Sequence, residues 1–359
     1  MNTQLDENTT ISWLNTPAAV PDIESRDSAI TRQAVLTKPP GALGRLEDIA
    51  IRLAALQGTE QPCVDRVHIT VFAGDHGVAA EDVSAFPQAV TAEMIKNFTC
   101  GGAAICVMAR GIDAKFEVIN LGTAYDTGPV EGVKNYALGP GTANFTNEPA
   151  MNIRQLTCAI GAGRHAVEHA CLNGAQLFIG GEIGIGNTTV ATALACALLN
   201  MPPEFLAGPG TGLDSHGVAR KVEVIRRTLN RHSQYHGMPL EALRRLGGFE
   251  IAALTGSYIA CAHIGLPVLV DGFISSVAAL AATRLCPGAG EWLLFSHTSA
   301  EPGHRAVLES LDAQPLFDLG MRLGEGSGAA VVVPLLRMAC AVHNEMATFD
   351  EAGVSKKSA

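Results

Sequence analysis

Between Leu323 and Leu336 the chain reads LGEGSGAAVVVPLL, with one carboxylate, Glu325, between two glycines. Small and apolar residues then run on to Arg337, the next charged side chain. A solvated glutamate usually has polar neighbours in sequence, and this one does not. It could cap the helix that the apolar run begins, where a carboxylate contributes roughly 0.3–1 kcal/mol. It could instead take a proton in a desolvated pocket, where burial raises its pKa. A second group of chemical residues lies in GGEIGIGNTT, Gly180 to Thr189. Gly181, Gly186, Asn187 and Thr188 nearly reproduce an ATPase P-loop, but Asn187 stands where that loop needs lysine. Such a loop suits a single phosphate, held by backbone N–H groups at a helix N-terminus with Thr188 as hydroxyl donor. The same residues could form only a tight turn with a threonine cap. Glu182 beside a phosphate would be repulsive, so it is expected to face a ribose hydroxyl or a heterocycle.

Other motifs leave their alternatives open. In FAGDHGV, Asp75 and His76 could serve as metal ligands or acid/base groups, or could form a hydrogen-bonded turn. SHTSAEPGH, Ser296 to His304, has hydroxyls and two histidines, but no G-x-S-x-G elbow for a hydrolase nucleophile. Hydroxyl donation to phosphate or ribose fits it better, as does a capped turn before a helix. Lys221 opens a basic helical stretch after GPGTGLD and could reach an anion, although most of that stretch has the composition of a solvated face. Asp271, after LPVLV, could bind ligand polar groups or serve the VDGF turn. HAVEH, His165 to His169, matches the zinc-peptidase pattern H-x-x-E-H. It falls within an ordinary crossover helix, away from any strand end.

The strand-end motifs share a frame. RVHITVFAGDHG, AKFEVINLGTA, AQLFIGGEIGIGNTT, LPVLVDGFISS and EWLLFSHTSAEPGH are each a short apolar run ending in small and polar residues. Helical patterns separate them: TAEMIKNF, IRQLTCAIGAGRHAVEHACL, TVATALACALL, HGVARKVEVIRRTL and FEIAALTGSYIACAHI. PPGALGRLEDIAIRLAALQ precedes them as a further helix. Alternation of this kind predicts a parallel sheet covered by helices on both faces, with ligands beyond the carboxyl ends of the strands. With 359 residues, 47% hydrophobic and 17% charged, the chain suits one large α/β domain with an appendage.

Composition also excludes functions. A net charge of -10 without a basic block argues against nucleic acid. The acidic, polar N-terminus is not that of a signal or transit peptide. The most membrane-like stretch, ALTGSYIACAHIGLPVLVDGFISSVAALAATRL, is broken by His263, Pro267 and Asp271 and reads as helix, strand, helix inside a core, so no integral membrane segment is expected. Nine cysteines without a C-x-x-C pair suit buried thiols in a reducing cytoplasm. The final VSKKSA reads as a frayed tail.

Taken in order, KPPGALGRLEDIA, FAGDHGV, VSAFPQAVT, GGEIGIGNTT, GPGTGLD, VDGFISS, SHTSAEPGH and RLGEGSGAA resemble the signatures of the nicotinate-nucleotide:dimethylbenzimidazole phosphoribosyltransferase family. The resemblance spans most of the chain, with no departure at these positions. It implies a transferase that exchanges the nicotinate of nicotinate mononucleotide for 5,6-dimethylbenzimidazole, giving α-ribazole 5′-phosphate for cobalamin assembly. It implies a homodimer in the cytoplasm, with no redox cofactor and no metal. It also implies a Rossmann-like large domain, drawn here as 31–303, and a small helical subdomain from 1–30 and 304–359. By motif, Glu325 is similar to the family's catalytic base. Phe86, Gln88 and Leu323, with Ser84 nearby, match positions walling the base pocket. The resemblance further implies that the loop with Gly184, Gly186, Asn187 and Thr188 takes the 5′-phosphate, that Ser299 supplies a hydroxyl, and that Glu182 and Lys221 surround the nucleotide. Competing readings are a non-catalytic nucleoside-monophosphate-binding regulator and a zinc hydrolase built on HAVEH.

Overall fold

The structure, a computed structural model, describes residues 11–355; residues 1–10 of the expected small subdomain and the end of the VSKKSA tail lie outside the described residues. Six strands form one sheet: β1 (Val67–Gly74), β2 (Lys115–Gly122), β3 (Val133–Asn135), β4 (Leu177–Ile183), β5 (Val268–Val270) and β6 (Leu293–Phe295). Their order is β3-β2-β1-β4-β5-β6, and every pairing is parallel. This is the doubly wound order, and the direction of strand addition reverses between β1 and β4. The Rossmann-like α/β sheet expected from the sequence is therefore present, and each of its five strand runs supplies a strand. β3 was missed because VKN is polar and largely exposed, without the buried apolar run that marks the equally short β5 and β6.

β1 is buried at all eight positions. Val71 faces Val118 of β2 on one side and Gly181 of β4 on the other. Its apolar continuity has the expected cause, since both faces of the sheet are covered. On one face lie α5 (Ile153–Leu172) and α9 (Phe249–Ile264). A Cβ at Gly180 would meet Leu254 and Tyr258 of α9. On the other face lies the entry to α12 (Ser327–Glu345), because a Cβ at Gly181 would meet the backbone of Glu325 and Gly326. The remaining helices are α1 (Ile23–Val35), α2 (Arg45–Gln57), α3 (Ala89–Thr99), α4 (Ala104–Gly111), α6 (Asn187–Leu199), α7 (Ser215–Arg231), α8 (Pro239–Leu246), α10 (Phe273–Leu285) and α11 (Gly303–Ser310).

The most membrane-like stretch folds as α9, β5 and α10, with α9 buried from Phe249 through Ala262. Its hydropathy is that of a core layer. Among the described residues, one helix, Ser327–Glu345, is long and apolar enough to cross a membrane by length and composition. Three helices escaped the sequence reading. α4 and α8 have only two turns each, and α1 is polar, burying just Ser25, Ala29 and Gln33. α1 packs on α2, and α2 on α12. Arg32 of α1 donates to the carbonyls of His343 and Asn344 near the end of α12. α11 packs instead on α10.

The edge strand β6 is closed by Arg52 of α2, whose guanidinium donates to the Leu293 carbonyl at 2.7 Å. On the opposite side of the core, α5 and α9 touch through glycines. A Cβ at Gly163 would overlap the Ala253 carbonyl oxygen, and one at Gly256 would overlap the Ile160 carbonyl oxygen. Gly163→Ala must therefore push the two helices apart, at a cost of about 1–3 kcal/mol. Urea denaturation of the purified variant checks this, and an unchanged midpoint would contradict the tight crossing.

Candidate active site

The carboxyl ends of β1, β4, β5 and β6 surround a cavity of about 290 Å³. Of the candidate residues, Phe86, Glu182, Gly184, Asn187, Thr188, Asp271, Ser299 and Leu323 line it. Gly186, Lys221, Ser84, Gln88 and Glu325 do not. A second cavity of about 270 Å³ lies at the β6 edge beside Arg45 and Arg52. Those two arginines are committed to main-chain carbonyls, and none of the strand-end motifs except β6 itself reaches it. The chemistry gathers in the first cavity.

Asp75, at the end of β1, braces the loops around it. Asp75 Oδ1 accepts from Thr91 Oγ1 at 2.6 Å and from Ile185 N at 3.2 Å, while Oδ2 accepts from Ala124 N at 3.0 Å. One carboxylate thus ties together the loops after β1, β2 and β4. His76 is fully buried, with Nε2 3.1 Å from Glu250 Oε1 of α9. Neither residue lines the cavity, and the hydrogen bonds of Asp75 anchor the loops in the way a structural turn would.

At the end of β4, Gly186 has a left-handed backbone (φ 99°) and starts α6. Three backbone donors at the start of α6 have partners within the protein. Asn187 N donates to Gly184 O, Thr188 N to Asn187 Oδ1, and Thr189 N to Gly186 O. Side chains add further donors at this end. Lys221 Nζ, fully buried on α7, donates to Thr188 Oγ1 at 2.7 Å, which frees the Thr188 proton for the cavity. Burial lowers the Lys221 pKa to about 8, against the opposing charge of Glu301. Arg322 lines the cavity and donates to Gly210 O at 2.7 Å. Gly210, within GPGTGLD, is left-handed (φ 53°), and its N–H donates to Glu301 Oε1.

Sequence reasoning passed over Arg322, Glu301 and His297. Arg322 could have been found as the only cation in MRLGEGSG. His297 and Glu301 lie inside SHTSAEPGH, where the hydroxyls drew the attention. Ser299 reaches the cavity while its Oγ accepts from Glu301 N at 3.3 Å. Ser84 Oγ lies 3.3 Å from Thr211 Oγ1, and Thr211 lines the cavity. Gln88 donates to the His76 carbonyl. Phe86 and Leu323 stand at the rim, 53% and 57% exposed, without apolar cover.

Three acidic side chains converge here. Asp271 does not merely serve its turn: Oδ2 accepts from Gly326 N at 3.2 Å and Oδ1 from Ala329 N at 3.0 Å, so it caps α12 from the end of β5. Glu325 precedes that cap in a left-handed conformation (φ 63°), a backbone cost of roughly 1–2 kcal/mol for a residue with a Cβ. Its Oε2 lies 3.4 Å from Ile105 N at the start of α4, and its own N–H donates to Glu182 O. Glu325 therefore does not cap the helix it introduces. Burial raises its pKa, and nearby Asp271 adds to the shift. Burial likewise pushes Asp271 up, against the influence of His297. Glu182 is raised most, first by burial and then by Glu250 and Asp271, although Asn187 Nδ2 donates to its Oε2.

Known proteins share this sequence and fold. Residues 18–354 match the phosphoribosyltransferase family DBI_PRT. The chain is 60% identical over 343 residues to a protein of Xanthomonas oryzae named nicotinate-nucleotide-dimethylbenzimidazole phosphoribosyltransferase, covering 96% of this chain and 98% of that relative. A Pseudomonas aeruginosa protein of the same name is 58% identical over 349 residues, covering 97% and 99%. The crystal structure of the so-named protein from Thermus thermophilus superposes with a TM-score of 0.88 at 44% identity, covering 94% of this chain and 100% of that one.

The raised Glu182 pKa has a consequence for stability. Its neutral form is favoured by folding, so its contribution is present below the ordinary value of 4.5 and lost as pH rises through the raised value. Glu182→Gln keeps the shape and removes the charge. Melting curves of wild type and variant are expected to coincide near pH 4.5 and to separate towards pH 8, with the variant more stable. Equal melting at pH 8 would show that the carboxylate is compensated.

Proposed function

Because the chain belongs to the phosphoribosyltransferase family DBI_PRT, we propose that it transfers the phosphoribosyl group of nicotinate mononucleotide to 5,6-dimethylbenzimidazole. The products are nicotinate and α-ribazole 5′-phosphate, for cobalamin assembly. The donor and acceptor are those in the names of its relatives. The observation that carries the reading is the cavity at the strand ends, with exposed Phe86 and Leu323 on its rim and buried carboxyl groups at its base. A planar, mostly apolar base needs such a wall, and a ring that loses a proton needs such a floor.

The lone pair of one benzimidazole nitrogen attacks the anomeric carbon. The bond to the pyridinium nitrogen breaks, and its electron pair leaves with nicotinate. Attack on the opposite face turns the β bond into the α bond, through a transition state with oxocarbenium character. Nicotinate departs from a cation and needs little acid assistance. The incoming ring becomes cationic, so the proton on its other nitrogen goes to a carboxylate. Glu325 is the proposed base. Its support is burial, a raised pKa, a strained backbone and a place one residue from the cavity wall at Gly324. Glu182 has a claim of its own, because it lines the cavity and Glu325 does not.

Thr188 with Lys221 behind it, Arg322 and Ser299 are the donors for the 5′-phosphate. Ser84, Gln88, Gly184, Gly186, Asn187 and Asp271 shape and brace the walls. The proposal includes a large unit, 31–303, and a small helical one from both ends. The α1–α2–α12 packing supports this, although α1 spans the boundary at 30/31, α2 falls in the large unit by sequence, and α11 packs on α10 of the large unit. It includes a homodimer, supported by Val331, Leu335 and Met338, an exposed apolar stripe at helical spacing on α12. A reducing, cytoplasmic setting is supported by nine free cysteines.

Purified protein given both substrates is expected to release nicotinate and an α-riboside phosphate in equal amounts, read by chromatography with mass detection. Binding without product would favour the regulator instead. Glu325→Gln is expected to bind nicotinate mononucleotide normally and to lose about 10²–10⁴-fold in kcat. Glu182→Gln is expected to change KM more than kcat, and the reverse pattern would make Glu182 the base. The wild-type kcat falls on acidification through a limb above the ordinary glutamate value of 4.5, because Glu325 must be ionised.

A further inference from the structure

Near the amino ends of β1 and β2, away from the cavity, three metal-ligating side chains converge. His68 is the second residue of β1, Glu117 the third of β2, and His169 lies in the last turn of α5. Thr70 pairs with Glu117 across the two strands, so the alternation of side chains sends His68, Thr70 and Glu117 to the face that α5 covers. His68 Nε2 lies 3.2 Å from Glu117 Oε1, and His169 Nδ1 lies 3.2 Å from Glu117 Oε2. One ligand atom from each of the three residues lies within 4.8 Å of the others. Donors about 2.0–2.2 Å from a tetrahedral ion stand about 3.4 Å apart, so each histidine already stands at about that spacing from one oxygen of the carboxylate, and a small shift brings all three donors onto one ion.

HAVEH contributes one histidine to this cluster and not two. His165 turns away, and its Nδ1 lies 3.2 Å from Tyr136 Oη. His68 is the unusual member. It is 3% exposed, it lies against the ring of Phe178, and its Nδ1 has no hydrogen-bond partner. Burial of that imidazole is therefore offset only through Nε2, the atom that faces Glu117 and His169.

We propose that His68, Glu117 and His169 bind one divalent transition-metal ion of the zinc class, with the remaining position open to solvent. Two imidazoles and one carboxylate are a borderline-soft donor set that suits zinc over magnesium or calcium. His169 is the accessible side, 46% exposed against 3% for His68, so the ion enters from there. Lys134 Nζ now lies 2.9 Å from Glu117 Oε2 and is itself 46% exposed. The ion takes its place as counter-charge while the ammonium swings into water. Thr70 Oγ1 donates to Glu117 Oε1 at 2.9 Å and keeps the carboxylate oriented. The ion would staple the end of α5 to β1 and β2, without touching the reacting groups.

The test uses the full chain, stripped with a chelator, dialysed and titrated with Zn²⁺ alone in a calorimeter, with Co²⁺ absorption as a second readout. The expected result is one ion per chain and a higher melting temperature in Zn²⁺. His169→Ala, a change at a half-exposed side chain, is expected to weaken binding at least tenfold and to abolish the Zn²⁺-dependent rise. Its phosphoribosyl transfer and circular dichroism are expected to stay at wild-type level. His165→Ala is expected to bind as the wild type does. Absence of stoichiometric uptake, or uptake undiminished in His169→Ala, would overturn the site and assign any bound ion to other surface groups.

Discussion

A contact of backbone on backbone governs the site. The segment Gly324–Glu325–Gly326 lies directly on Gly181 of β4, where any Cβ would overlap the Glu325 carbonyl. Glu325 N donates to Glu182 O, so the segment is tied to the strand end as well as laid upon it. All three residues of the segment have positive φ (88°, 63° and 85°). Two are glycines, which adopt this conformation readily; the third is the carboxylate, which does not. The strain is held by the helix beyond it, since α12 is anchored at its first turn by both oxygens of Asp271. Removing the glycine from β4 would lift the segment, and with it the entry to α12.

Charge makes the same region costly. Glu182, Asp271 and Glu325 are each nearly out of contact with water, with Glu250 behind them. Their pKa values are all raised, first by burial. A fold selected only for stability would place apolar side chains here. The surrounding core, with α9 and α10 buried along most of their lengths, supplies the stability that such a cluster removes. The cations are held at the margin: Lys221 behind Thr188, and Arg322 on the loop carbonyl of Gly210. The cations thus gather around Thr188 and Gly210, with Glu301 as their counter-charge, apart from the Glu182, Asp271 and Glu325 group.

The two ends of the sheet divide the polar chemistry. At the carboxyl ends, loops leave β1, β4, β5 and β6 with room for a ligand, and Asp75 draws the loops after β1, β2 and β4 together. At the amino ends the strands are close-packed beneath α5, and the polar groups there pair with one another around Glu117. A cleft forms at one end and a closed cluster at the other, as expected where strand order reverses between β1 and β4.

The sequence by itself determined the architecture. Continuous apolar runs alternating with helical periods require a parallel sheet with both faces covered, and glycine-bounded polar motifs at the ends of those runs mark the ligand side. That is why β1, β2, β4, β5 and β6 and the long apolar-faced helices were legible, while the polar, largely exposed β3, the polar α1 and the two-turn α4 and α8 were not. Glu325, Glu182, Asn187 and Thr188 stood out for the same reason: polar groups in apolar surroundings. Only the tertiary structure decided which groups those residues meet. Asp271 caps a helix that begins 56 positions further along the chain. Glu325 sends its carboxylate to the start of α4 rather than to its own helix, and His169 pairs with β1 and β2 rather than with His165. Partners of that kind are distant in sequence and become neighbours only through strand order and helix packing, which no local pattern of residues encodes.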